Sequence, residues 1–198
     1  MTTRAVGWAI EDGGGEEWAT VEIDADRILA TGVASAREPE PYSLTYDLRT
    51  GSGFVTEQLT GEARGAGWLR TLDLRRASHG AWTARTGGDT RAAGEAMPHL
   101  DGALDCDLGR CPVTNTMPVL RHGLLASDGS FDFTMAWVSV PDLVVHRARQ
   151  RYTVLGGAPG GGRLIRFESL ESDFTSDLVF DADGLVVDYP QMAHRLPR

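Results

Sequence analysis

No lysine occurs among the 198 residues: all 19 basic side chains are arginine. Schiff-base chemistry and the phosphate-gripping lysine of a Walker loop are therefore excluded. Every cation is a planar, permanently charged fork suited to carboxylates and phosphates. Cysteine is nearly absent as well. Cys106 and Cys111 are the two, five positions apart. A bridge between them would close a very small loop and add little, and a four-ligand zinc site would need two more partners. The pair reads as reduced thiols in a cytoplasmic protein.

Long apolar runs are missing too. Nothing approaches the ~20 residues a membrane-spanning helix requires, so no integral membrane contact is expected. Met1 to Glu17 carries one arginine, a short apolar patch (Ala5 to Ile10) and an acidic glycine run, too short and wrongly flanked for a secretory signal. Positive charge is in deficit, with 28 acidic residues against 19 basic and a net charge of −9. That balance argues against a nucleic-acid partner gripped through phosphates, and against electrostatic attachment to an anionic membrane.

What is present is strand-like alternation. Candidate strands run over Trp18–Asp24, Arg27–Ala34, Tyr42–Leu48, Phe54–Thr60, Trp68–Arg75 and Ala81–Arg85. After a loop-rich middle they resume at Phe131–Val140, Leu143–Ala148, Gln150–Leu155, Leu164–Glu168, Ser176–Phe180 and Leu185–Tyr189. Turn signals at Asp24–Asp26, Asp128–Gly129, Gly156–Gly162 and Asp181–Gly184 separate many of them. Such a chain is mainly β, an antiparallel sheet that curls or closes. One helix is expected, over Thr114–Leu125, capped by Thr114 or Asn115. The whole forms a single domain, with residues 1–17 loosely ordered. A curled sheet sends half its side chains into a concavity, which either fills with its own aromatics or receives an apolar guest.

Familiar catalytic motifs fail on inspection. Gly156–Gly162 lacks a lysine and leads into a strand, so it is a hairpin loop. The five histidines form no HExxH, and no Gly-x-Ser-x-Gly elbow exists. Asp181-Ala-Asp-Gly184 lacks the later ligands of a calcium loop. No cofactor and no resident metal are expected.

Leu100 to Pro118 is different. Asp101, Asp105 and Asp107 crowd seven residues, followed by Thr114, Asn115 and Thr116, with Arg121 just beyond. Three such carboxylates repel unless solvated, paired or bound to a cation. The segment reads as a loop held by Asp–Arg pairs, as a polar recognition rim or catalytic patch, or as a cation site.

Asp101-Gly-x-x-Asp-x-Asp-Leu followed by Pro112-x-Thr-Asn-Thr-x-Pro118 resembles the signature of the putative glycolipid-binding family of bacteria. The similarity continues through Pro141-Asp-Leu143, Gln150-Arg-Tyr-Thr153 and Asp181-x-Asp-Gly-Leu-Val-Val-Asp-Tyr-Pro190, from about Trp18 to Arg195. Cys111 and Val113 stand where Thr and Phe are usual, and Leu120 replaces the first of two adjacent arginines. The resemblance implies a long antiparallel sheet rolled into a spiral or open barrel around one short helix, and a homodimer.

Three functions are open. The first is a carrier for a lipid, glycolipid or other hydrophobic metabolite, its head group read by Asp105, Asp107, Thr114, Asn115, Arg121, Gln150 and Tyr152. The second is an isomerase, cyclase or hydrolase in the same cavity, drawing acid and base from Asp105, Asp107, Glu22, Tyr152 and His122. The third is a structural dimer whose interface is the signature segment.

Overall fold

The computed structural model describes residues 1–89 and 96–197. Among these, fourteen strands form one sheet: β1 (Thr2–Ile10), β2 (Gly15–Ile23), β3 (Ile28–Ala36), β4 (Tyr42–Thr50), β5 (Thr56–Gly65), β6 (Trp68–Arg76), β7 (Trp82–Gly88), β8 (Asp105–Leu108), β9 (Ser130–Val138), β10 (Val145–Ala158), β11 (Gly162–Ser169), β12 (Thr175–Phe180), β13 (Val186–Tyr189) and β14 (Ala193–Arg195). Their order is β7-β6-β5-β4-β3-β2-β1-β14-β13-β12-β11-β10-β9-β8. Neighbours are antiparallel except β8 and β9, which run parallel. The sheet ends at β7 and β8 and does not close into a barrel. No helix among the described residues is long and apolar enough to cross a membrane.

The sheet nevertheless rolls back on itself. Thr56 N–H, at the start of β5, donates to Leu104 O at 2.9 Å, and Cys106 N–H in β8 donates to Thr56 Oγ1 at 3.0 Å. The turn after β9 is pinned to β6 by Arg70, which pairs with Asp142 at 3.1 Å and Glu40 at 3.2 Å. Strands at opposite ends of the sheet order thus touch, with the short helix α1 (Thr116–Arg121) enclosed between them. Met117 of α1 places its sulfur 3.7 Å from Thr56 Oγ1, and Leu120 lies against Gly184 in the β12–β13 turn.

The period-two reading holds best in β4 and β6. Tyr42, Leu44, Tyr46 and Leu48 are buried while Ser43, Thr45, Asp47 and Arg49 are exposed; in β6, Arg70, Leu72 and Leu74 point inward. Elsewhere the structure corrects the expectation. Residues 2–10, expected to be loose, form β1, whose Trp8 is fully buried and donates its indole N–H to Val186 O at 2.9 Å. Phe54 sits in a 3-10 turn, and its strand begins at Thr56. The two strands expected at Leu143–Ala148 and Gln150–Leu155 are one, β10, which begins at Val145 and whose ladder to β9 runs unbroken through Arg149; a bulge lies further on, between Val154 and Gly156.

The helix is shorter than its expected Thr114–Leu125 span. A 3-10 turn (Pro112–Asn115) precedes six α-helical residues, and Pro118 is tolerated because the N–H it lacks belongs to the first turn. Asn115 makes no capping bond with its side chain, which is engaged elsewhere.

Three glycines lie opposite aromatic residues on neighbouring strands: Gly7 and Trp18, Gly32 and Tyr46, Gly65 and Trp68. An added Cβ would stand 2.7, 2.3 and 2.2 Å from those side chains, so each ring lies across bare backbone.

Candidate functional site

Between β8, the 3-10 turn and the strands β10, β11 and β13 lies a cavity of about 430 Å³. Its apolar wall is Trp137, Phe167, Phe174, Tyr189 and Met192. The rings of Phe167, Phe174 and Tyr189 pack against one another at 5.8–6.3 Å between centroids. Asp107, Asn115 and Gln150 form its polar end, and Arg110, Arg149, Ser169 and Ser172 also border it.

The sheet register builds that end. Asp107 in β8 is in register with Trp137 in β9, so carboxylate and indole stand side by side. Gln150 enters from β10 and donates Nε2–H to Asp107 Oδ2 at 2.6 Å. Thr114 Oγ1 lies 3.1 Å from Asp107 Oδ1 and accepts the Leu108 N–H at 3.2 Å. Asn115 Nδ2–H donates to the Tyr152 hydroxyl at 2.8 Å. Of the seven predicted site residues, Asp107, Asn115 and Gln150 therefore line the cavity, with Thr114 and Tyr152 holding them from behind.

Asp105 and Arg121 do not join them. Asp105 is 1% exposed, and both its oxygens accept from the two terminal nitrogens of Arg121. The pair satisfies itself away from the cavity lining, because a carboxylate this deep needs a counter-charge. His122 lies between the rings of Phe131 and Phe133, at 5.1 and 5.0 Å, and neither it nor Glu22 lines the cavity. The acid–base set of the enzyme reading is thus not assembled at the cavity. Residues 112–119, the signature's core, are all buried within the chain, which leaves that stretch no surface to offer a partner subunit.

Burial raises the pKa of both aspartates. For Asp107 the hydrogen bonds from Gln150 and Thr114 oppose the rise, and the neighbouring Asp105 charge adds to it. For Asp105 the Arg121 bonds oppose it. Burial and the Asp107 charge push the Tyr152 phenol well above its ordinary range, so it stays protonated.

A third buried acid was missed. Glu17, in β2, is wholly inaccessible; burial pushes its pKa up to about 8, against hydrogen bonds from Tyr46 and the Val113 amide. The Tyr46 hydroxyl donates to Glu17 Oε1 at 2.5 Å. The Val113 amide of the 3-10 turn lies close to this carboxyl, whose Oε2 has no hydrogen-bond partner among the described residues. In the sequence Glu17 looks like part of a solvated acidic run, and only its two-residue spacing from Ala19 and Val21 marks it as inward-facing. The aromatic wall was missed for a different reason. Phe167, Phe174, Tyr189 and Met192 come from separate strands and turns, and each alone reads as core.

Among the described residues, no group of three or more His, Cys, Asp and Glu is placed to hold a metal ion. At the rim, Arg110 is already engaged, donating to Asp12 at 3.1 Å and to Glu38 O at 2.6 Å.

A DUF1089 family protein from Pseudomonas aeruginosa, known from its crystal structure, shares the fold with a TM-score of 0.71 and 30% sequence identity, over 91% of this chain and 92% of that one. No functionally curated protein matches the sequence. The family model described as "Putative glycolipid-binding" matches residues 5–195, and the chain belongs to that family.

Proposed function

We propose that the protein binds a small amphiphile in this cavity, its apolar part against the aromatic wall and its head at Asp107, Asn115 and Gln150. The observation that carries the reading is the division of one cavity into an apolar wall and a small convergent polar end. The family description, which speaks of glycolipid, points the same way.

The volume limits the occupant. About 430 Å³ suits a single short chain or a compact hydrophobic metabolite. Each buried methylene contributes about 0.8 kcal/mol, so an eight-carbon chain supplies on the order of 6 kcal/mol before ordering costs. The apolar part dominates affinity, and the polar end selects among heads.

Native mass spectrometry of protein purified without detergent tests this directly. A bound small molecule released by organic solvent is the expected result, as is its exclusion by Ser169→Trp, which puts an indole into the lining. Protein that emerges empty, and that binds no short-chain alcohol in titration, overturns the reading.

A further inference from the structure

Asp105 and Asp107 sit two residues apart on one face of β8 and meet different fates. Asp105 has Arg121 as its counter-charge. Asp107 has neutral partners, the Gln150 amide and the Thr114 hydroxyl, and makes no ion pair among the described residues. The charge it feels is that of Asp105, which is of its own sign. A buried carboxylate without a cation is costly, and here it borders an open cavity.

A second group at the same end also lacks a partner. Gln150 is 4% exposed, and while its Nε2–H serves Asp107, its carbonyl oxygen has no donor. Both unmet needs are for donors, and one of them is for positive charge. The cations that border the cavity do not meet either: Arg110 is strapped to Asp12 and the Glu38 carbonyl, and Arg149 is exposed and makes no hydrogen bond or ion pair to Asp107 or Gln150 among the described residues. The walls add a third preference. Trp137 stands beside Asp107, and indole faces attract ammonium groups.

We propose that the amphiphile bound here carries a protonated amine, its ammonium seated between Asp107 and Trp137. This rests on the cavity being a binding site and adds the chemistry of the head. A phosphate or carboxylate head meets repulsion from Asp107, and a hydroxylated head supplies donors but leaves the charge unmet.

Octylamine, octanol and octanoate, titrated against the full chain at neutral pH by calorimetry, separate the possibilities. The amine binds roughly tenfold or more tightly than the alcohol, the worth of a charged hydrogen bond, and octanoate binds weakest. Asp107→Asn removes the amine's advantage over the alcohol, and an unchanged circular dichroism spectrum shows that the variant is folded. Equal binding of amine and alcohol, or an amine preference that survives Asp107→Asn, overturns the proposal and leaves the cavity reading standing. If none of the three binds the wild-type chain, both fall.

Discussion

The two limbs of the rolled sheet neutralise buried acid by different means. In the β2–β4 limb, Glu17 is sealed under the signature turn with a tyrosine and a backbone amide, and it keeps its proton. In the β8–β10 limb, Asp105 is held by an arginine, while Asp107 borders a cavity among neutral partners. The first arrangement is rigid and closed, the second is satisfied from within the chain, and the third is left for an occupant to complete. The difference bears on the proposed function: the β2–β4 limb seals its buried acid, and the β8–β13 interior leaves one beside a cavity.

The largest expected effect breaks the first arrangement. The folded-state pKa of Glu17 is raised from 4.5 to about 8. Its protonated form therefore stabilises the fold fully below pH 4.5, and that contribution is lost progressively as pH rises through about 8. The whole span is worth on the order of 5 kcal/mol. Urea midpoints measured at pH 5, 7 and 9 fall in the wild type and fall much less in Glu17→Gln. The residual slope of the variant comes from Asp105 and Asp107, whose raised pKa values act with the same sign.

Breaking the second arrangement costs nearly as much. Arg121→Ala leaves Asp105 buried without its cation, a loss of about 3–5 kcal/mol in urea denaturation. Asp107→Asn, whose partners are neutral, changes stability by no more than about 1 kcal/mol. Similar losses from the two variants would erase the distinction between a structural and a functional aspartate.

A smaller effect tests the closed limb through its backbone. In Gly32→Ala the new Cβ would stand 2.3 Å from the end of the Tyr46 ring, which must move off its hydrogen bond to Glu17. Overpacking of this kind costs about 1–3 kcal/mol. The thermal midpoint falls accordingly.

The closed limb was legible in the sequence because one face of each strand meets water. In β4, Leu44, Tyr46 and Leu48 alternate with Thr45, Asp47 and Arg49, and that pattern names the strand and its inward face. β1 escaped because Gly7 and Ala9 break the contrast: Gly7 lies under Trp18, not under solvent. The polar end of the site was legible because Asp107, Thr114 and Asn115 are clustered in one segment that suits neither strand nor helix. Its aromatic wall was not, since Trp137, Phe167 and Tyr189 meet only after the sheet has rolled. Arg121 stands apart from the cavity lining for a related reason. Its proximity to the signature is real, and only the depth of Asp105 reveals that the fork is already used.

The smallest expected effect sharpens the boundary between what touches the occupant and what stands behind it. Tyr152→Phe removes the hydroxyl that accepts from Asn115 Nδ2. The ring keeps its edge contacts with Phe133 and Phe167, at 5.4 and 5.7 Å, so packing is conserved. Stability falls by about 1 kcal/mol, the ordinary worth of one neutral hydrogen bond. Asn115 borders the cavity, so its freed amide can turn toward an occupant instead of remaining unmet. Binding of octylamine then shifts by less than about threefold, because Asp107 and Gln150 are unchanged. A collapse of binding in Tyr152→Phe would place the tyrosine in direct contact with the bound molecule and move the polar end of the site one layer deeper than the geometry assigns it.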